Sequence, residues 1–190
     1  MIQTDIEDFL VIYKTIYPQK KFVYMSTPIT TGPRFVEWYR RVGKDYTDKS
    51  MYDYQFERNV KRFNEIDAAA KAKNLASILN GALVVNPGEF KINLSQKEFK
   101  TFWDKFIAEH ADYVVLSEGW ALSRGCLYEL QSAINNNVRC VDFNLFNLDS
   151  DKCIFEIEKA IQTLKGVDLD YSVQTETIRL LSHEHYSYLS

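Results

Sequence analysis

The sequence predicts one α/β domain of 190 residues, a mainly parallel sheet of four to five strands flanked by helices. Three observations carry that expectation. Apolar, β-branched runs of strand length recur at 22–25, 82–85, 113–116 and 138–143 and end in polar or Gly/Pro-containing turns. Stretches with apolar residues three and four apart lie between them, and strands that alternate with helices imply right-handed crossovers. The length suits one full core and is short for two. The core is expected over about 20–145 and a helical extension over 150–190, in a Rossmann- or flavodoxin-like arrangement without internal repeats.

Taken in order, Ile6, Phe9, Leu10, Ile12, Tyr13, Ile16 and Tyr17 give 2–17 the spacing of a short amphipathic helix, which Pro18 ends. Phe22-Val23-Tyr24-Met25 reads as a buried first strand. Residues 35–54 mix aromatics and charges without a clean period and read as a long, partly helical connection, its tyrosines suited to core and subunit contacts or to stacking on a base. From Gln55 to Leu79, Phe56, Val60, Phe63, Ile66, Ala70, Leu75 and Ile78 predict a helix, with Gly81 as its C-cap. Ala82 to Val85 is the second strand, broken by Asn86-Pro87-Gly88. Ser95-Gln96-Lys97-Glu98 has the form of a capping box, and Phe99, Phe102, Trp103, Phe106 and Ile107 are the buried stripe of the helix it opens. A third strand over 113–116, a helix from Leu127 to about Asn135, a fourth strand over 138–143 and a helix over 151–164 follow. Residues 165–190 read as polar and mixed, and their ending, His183-Glu184-His185, as an exposed tail rather than a metal site, because two histidines two apart would face different ways on a helix.

Composition narrows the function. With 23 basic against 26 acidic residues the net charge is −3, so no basic footprint for a nucleic-acid polymer exists. Cys126, Cys140 and Cys153 are odd in number and lack metal-ligand spacing, which predicts reduced thiols, no disulfide framework and no metal. The first twenty or so residues carry Asp5, Glu7 and Asp8 and no long apolar stretch, so neither a signal peptide nor a membrane span is expected, and the cytoplasm is the default location.

Chemistry is expected at two loops. After the third strand, the turn through Ser117, Gly119 and Trp120 to Ser123, Arg124 and Gly125 leads into a helix that carries Glu129. In an α/β sheet such a loop opens into the ligand crevice, where a helix N-terminus offers free N–H groups to an anion. Glu129 is thus a candidate catalytic carboxylate, or simply a glutamate favoured near a helix start. After the first strand, Ser26, Thr27, Pro28, Ile29, Thr30, Thr31, Gly32, Pro33 and Arg34 form a loop of hydroxyls, prolines and a guanidinium. That chemistry suits an anion, without the spacing of a Walker loop, and equally suits a Ser/Thr/Pro turn with no ligand.

Three blocks together resemble the nucleoside 2-deoxyribosyltransferase superfamily: Val23 to Gly32; Val84-Val85-Asn86-Pro87; and Ala111-Asp112 through Gly119-Trp120 and Ser123-Arg124-Gly125 to Glu129. The Gly-Trp, Ser-Arg-Gly and Glu pattern is closest to a branch of small phage and bacterial proteins. The resemblance implies cleavage of an N-glycosidic bond with Glu129 as nucleophile, Asp104 as the acid or base and Tyr24 beside the sugar. Ser123, six residues before the glutamate, matches the phosphate-binding serine of the branch that hydrolyses nucleoside 5'-monophosphates, where the transferase branch has an aspartate. A second carboxylate there would repel a phosphate. The first loop departs from the nucleotide-hydrolase pattern at Pro28 and Thr30-Thr31, which leaves Ser26, Thr27 and Arg34 as substitute phosphate contacts. The resemblance implies a retaining double displacement without cofactor or metal, a small-molecule nucleotide or nucleoside as partner, and a homo-oligomer, dimer or larger. Two other readings use the same crevice: a protein that binds a nucleotide without turning it over, and an NAD(P)-cleaving glycohydrolase. The latter would be expected to show a pyrophosphate motif that this sequence lacks.

Overall fold

The computed structural model of the chain describes residues 11, 15, 16, 22–90 and 95–187, except the side chains of 96 and 184–187. The helix expected over 2–17 lies almost wholly outside the described residues. Strands β1 (Phe22–Ser26), β2 (Leu83–Val85), β3 (Ala111–Leu116) and β4 (Arg139–Asp142) form one sheet in the order β2-β1-β3-β4, and every neighbouring pair is parallel. This is the α/β architecture that the alternating pattern predicts. β1 is buried along its whole length because both faces of the sheet are covered, which is why it reads as an unbroken apolar run.

The two-residue period of the strands sorts their side chains. Tyr24, Val85, Val114 and Leu116 meet Phe102, Trp103 and Phe106 of helix α4 (Gln96–His110) and Leu127 and Leu130 of helix α5 (Arg124–Asn135). Val23, Met25, Val115 and Val141 meet Ala68, Ala72 and Leu75 of helix α3 (Arg62–Ile78) on the other face. The capping box forms as expected: Ser95 Oγ accepts from the Glu98 N–H at 3.3 Å, and Glu98 Oε2 accepts from the Ser95 N–H at 2.8 Å.

Four stretches differ from the sequence expectation. Residues 35–54 are mostly helical, with α1 (Pro33–Arg41), a 3-10 turn (Gly43–Asp45) and the start of α2 (Lys49–Phe56). They show no single period because the chain bends between short helices whose rings pack on each other: Trp38 stacks on Tyr46 and meets Tyr52 and Phe56. The helix expected over 55–79 begins earlier, in α2, and runs through a π-helical turn (Glu57–Lys61), where the Arg62 N–H donates to the Glu57 carbonyl, before α3. Its C-cap is Leu79, while Gly81, at φ +94°, turns the chain into β2. Helix α5 starts at Arg124 rather than Leu127 because Ser123 caps it, its Oγ accepting from the Cys126 N–H at 3.4 Å.

The polar, mixed stretch that follows 165 holds a buried helix. After α6 (Ser150–Lys165), helix α7 (Ser172–Ser187) buries Val173, Gln174, Thr177 and Leu181. Gln174 Nε2 donates to the Ala121 carbonyl at 3.1 Å, and Gln131 Nε2 to Thr177 Oγ1 at 2.8 Å. Two of the buried residues are polar, so their stripe is invisible to a count of apolar positions. No helix among the described residues is long and apolar enough to cross a membrane.

The strand order fixes where a ligand can sit. From β1 the chain moves outward to β2, then returns past β1 to β3 and on to β4. The order reverses between β1 and β3, and at such a point the two crossovers leave in opposite directions and open a crevice beyond the carboxyl ends of the strands.

Candidate functional site

That crevice is bounded by the end of β1 and the start of α5. Tyr24 and Ser26 stand two apart on β1, so both project toward α5, and both are 0% exposed. Glu129 is the sixth residue of α5 and shares its inward face with Cys126, three residues earlier. Tyr24 Oη donates to Glu129 Oε1 at 2.7 Å and Ser26 Oγ donates to Oε2 at 2.5 Å. Each carboxylate oxygen is therefore held by one hydroxyl and keeps a lone pair for another atom.

The two loops are locked to each other. Thr31 Oγ1 donates to Ser123 Oγ at 3.2 Å and accepts from the Arg124 N–H at 3.2 Å. Gly119, at φ +78°, lies against Pro33 so closely that a Cβ there would overlap the proline ring. Gly32, at φ +108°, lies the same way against Pro28. Left-handed backbone and close approach both require glycine at these two positions. Pro28, Gly32 and Gly119 therefore shape the site rather than line it.

A cavity of about 360 Å³ opens beside the carboxylate, between Glu129, Ser123 and Gly125 on one side and Thr27, Ile29 and Thr30 on another. Phe90 and Phe99 supply an aromatic wall, and Asn86, Pro87 and Gly88 line the cavity beyond β2. Its size and mixed lining suit a small organic molecule with a few polar anchors. The Gly125 N–H, in the first turn of α5, has no protein acceptor among the described residues and so offers a donor at the positive end of the helix dipole. Thr27 Oγ1 and Asn86 Nδ2 are buried and without a protein partner, two further unspent polar groups at the strand ends.

Burial dominates the electrostatics. It pushes the Glu129 carboxyl up to about 7, the charge of Asp104 adds to the rise, and the Ser26 and Tyr24 hydroxyls act in the lowering direction. The start of α5 does not hold Glu129 in its ionised form, because the residue lies in the second turn and loses more by desolvation. The Tyr24 phenol is raised well above its ordinary value by burial and by the Glu129 charge, so it stays a hydrogen-bond donor. Burial, with the Glu129 charge behind it, pushes the Cys126 thiol up to about 12, which removes it as a nucleophile.

Of the residues expected from sequence, Tyr24, Ser26, Glu129, Ser123, Gly125, Thr27, Ile29 and Thr30 come together here. Trp120 does not: it is 6% exposed and belongs to the core behind α5. Arg34 is spent elsewhere, donating to Asn64 Oδ1 at 2.7 Å and pairing with Asp67 at 2.8 Å, while Asn64 Nδ2 donates to the Ile29 carbonyl at 2.8 Å. Arg34 thus fastens the first loop to α3 instead of reaching an anion. Arg124 is exposed, and its charge acts on Asp170 at the start of the C-terminal helix. Asp104 stands on α4 near enough to influence Glu129, but outside the cavity wall, with Lys100 Nζ at 2.6 Å.

Lys61 and Glu65 line the cavity and were not foreseen. Nothing in the sequence marks them, since their inward direction depends on the π-helical turn. Asn86 was legible only as a strand break, although an Asn-Pro-Gly turn at the end of a parallel strand faces the ligand crevice by topology. Among the described residues no group of three or more His, Cys, Asp and Glu is placed to hold a metal ion. Comparison with family models, with curated proteins and with solved structures finds no match to this chain.

Proposed function

We propose that the protein is an N-glycosidase that cleaves the base from a nucleoside 5'-monophosphate, with Glu129 as nucleophile. One observation carries the reading: a buried carboxylate, gripped by Tyr24 and Ser26, faces a cavity of about 360 Å³ at the switch point of a parallel sheet. The resemblance of three blocks to the nucleoside 2-deoxyribosyltransferase superfamily supports it independently. In the reaction a Glu129 oxygen bonds to the anomeric carbon as the carbon–nitrogen bond breaks and its electron pair leaves with the base, which takes up a proton. Water, or a second base, then attacks the same carbon and gives its proton to the carboxylate of Asp104, the ester to Glu129 breaks and the Glu129 carboxylate returns. Phe90 and Phe99 supply a surface on which a base can rest. The Ser123 hydroxyl and the Gly125 N–H supply donors for a phosphate oxygen.

Asp104 is the proton donor that the resemblance implies, and to act it must leave Lys100. The same Lys100 contact favours a second reading, a nucleotide-binding protein that does not turn its ligand over, because a binder has no use for an acid at 104. The proposal extends to a homo-oligomer, which the exposed Phe63 and Ile66 on the outer face of α3 support as an apolar surface left uncovered by the single chain.

The test is incubation with nucleosides, ribo- and deoxyribonucleoside 5'-monophosphates and NAD, with free base followed by chromatography. Base release from a monophosphate that vanishes in Glu129→Ala and weakens in Ser123→Ala supports the glycosidase. A melting temperature raised by a nucleotide, with no base released from any compound, supports the binder.

A further inference from the structure

Resting on the reading of the cavity as a nucleoside 5'-monophosphate site, we infer that Lys61 is the residue that distinguishes the phosphorylated substrate from the free nucleoside. The cavity is lined by two carboxylates, Glu129 and Glu65. A phosphate monoester brings about −1.5 to −2 charge at neutral pH, so it needs a cation beside it. The two arginines that the sequence offers are unsuited, Arg34 being fastened to Asn64 and Asp67 and Arg124 being turned outward near Asp170. Among the described residues Lys61 is the one basic side chain in the cavity wall.

Its position follows from the backbone. The π-helical turn over Glu57–Lys61 widens the helix by one residue just where Lys61 and Glu65 meet the cavity, and such turns recur where a helix must re-aim side chains at a site. Asn64, about one turn further on, holds the Ile29 carbonyl, so this part of the helix lies over the loop of Thr30 and Thr31. Thr31 in turn bonds Ser123. The side chains of Lys61, Thr30 and Ser123 and the backbone of Gly125 thus line one cavity.

The present partners of Lys61 leave it available. Its Nζ is 3.0 Å from Glu57 Oε2, 3.3 Å from Glu57 Oε1 and 4.0 Å from Glu65 Oε1, and the Glu57 side chain is 55% exposed. A pair four residues apart whose carboxylate stands in solvent holds its cation weakly, whereas a phosphate oxygen in a half-enclosed cavity offers a charge-assisted bond. Substrate binding then exchanges one acceptor for a stronger one without any movement of the backbone.

The experiment compares kcat/KM for a nucleoside 5'-monophosphate and for the corresponding nucleoside in the wild type, Lys61→Gln and Lys61→Arg, with calorimetric affinities for the same two ligands. Lys61→Gln is expected to lower kcat/KM for the monophosphate by roughly 10- to 100-fold while leaving the nucleoside within about twofold, and Lys61→Arg to restore most of the loss. Equal effects on the two ligands, or none on either, overturn the inference. If the wild type releases no base, the affinities decide separately: a preference for the monophosphate that disappears in Lys61→Gln upholds the role of Lys61 while the glycosidase fails. A wild type that binds the two ligands equally overturns the inference.

Discussion

At the scale of single residues, the behaviour of Glu129 is set by conflict. Burial raises its pKa to about 7, against an ordinary value of 4.5, while two hydroxyls favour the ionised form needed for attack. In the glycosidase, the ionisation of Glu129 should give the kcat/KM profile a rising limb centred near pH 7. The same shift has a cost in stability. Between 4.5 and 7 the folded protein binds more protons than the unfolded chain, so this group's contribution is fully present below the lower value and is lost as the pH rises through the upper one. Glu129→Gln should therefore stabilise the protein at pH 8, by about 3 kcal/mol at most, and leave it nearly unchanged at pH 4.5, as read by denaturant unfolding at the two pH values. Equal stability of the two proteins at pH 8 would contradict the buried, strained carboxylate. Glu129 was legible from its place in the helix that follows the third strand, and it and Tyr24 from the resemblance of their blocks to the superfamily. The idle arginines were not: Arg34 is engaged by Asp67, distant in sequence, and the exposure of Arg124 depends on how its helix packs.

At the scale of elements, the site is a junction of two loops held by glycine against proline. A side chain at Gly119 must adopt a left-handed backbone and displace Pro33. Gly119→Ala should cost about 2 kcal/mol or more, and it should also lower activity, because moving Pro33 disturbs the Thr31 to Ser123 contact. Thermal unfolding together with base release checks both parts, and a stable variant with low activity would show that the loop shifts without unfolding. The strands and α4 were readable from the sequence since each has a clean period or a capping box. The π-helical turn was not, because one inserted residue leaves the apolar spacing on either side intact and alters only the direction in which Lys61 projects.

At the scale of the molecule, the sheet order and the C-terminal helix work together. The switch point between β1 and β3 makes the crevice, and α7 braces it from behind through Gln174 and the Ala121 carbonyl. The parallel sheet followed from alternation of periods, but the docking of α7 did not, since Gln174 and Thr177 bury polar groups that only a distant carbonyl and Gln131 satisfy. Removal of residues 171–190 takes away Val173 and Leu181, uncovers the core they pack on and should lower the melting temperature by roughly 10 °C. An unchanged melting temperature would contradict the docking of α7. The central claim is that Glu129 forms a bond to the sugar. Acid quenching of the protein during turnover, followed by peptide mass analysis, tests it most directly. A peptide containing Glu129 that carries the sugar phosphate is expected, absent in Glu129→Gln; base release without any such adduct, or undiminished in that variant, would rule out the covalent step.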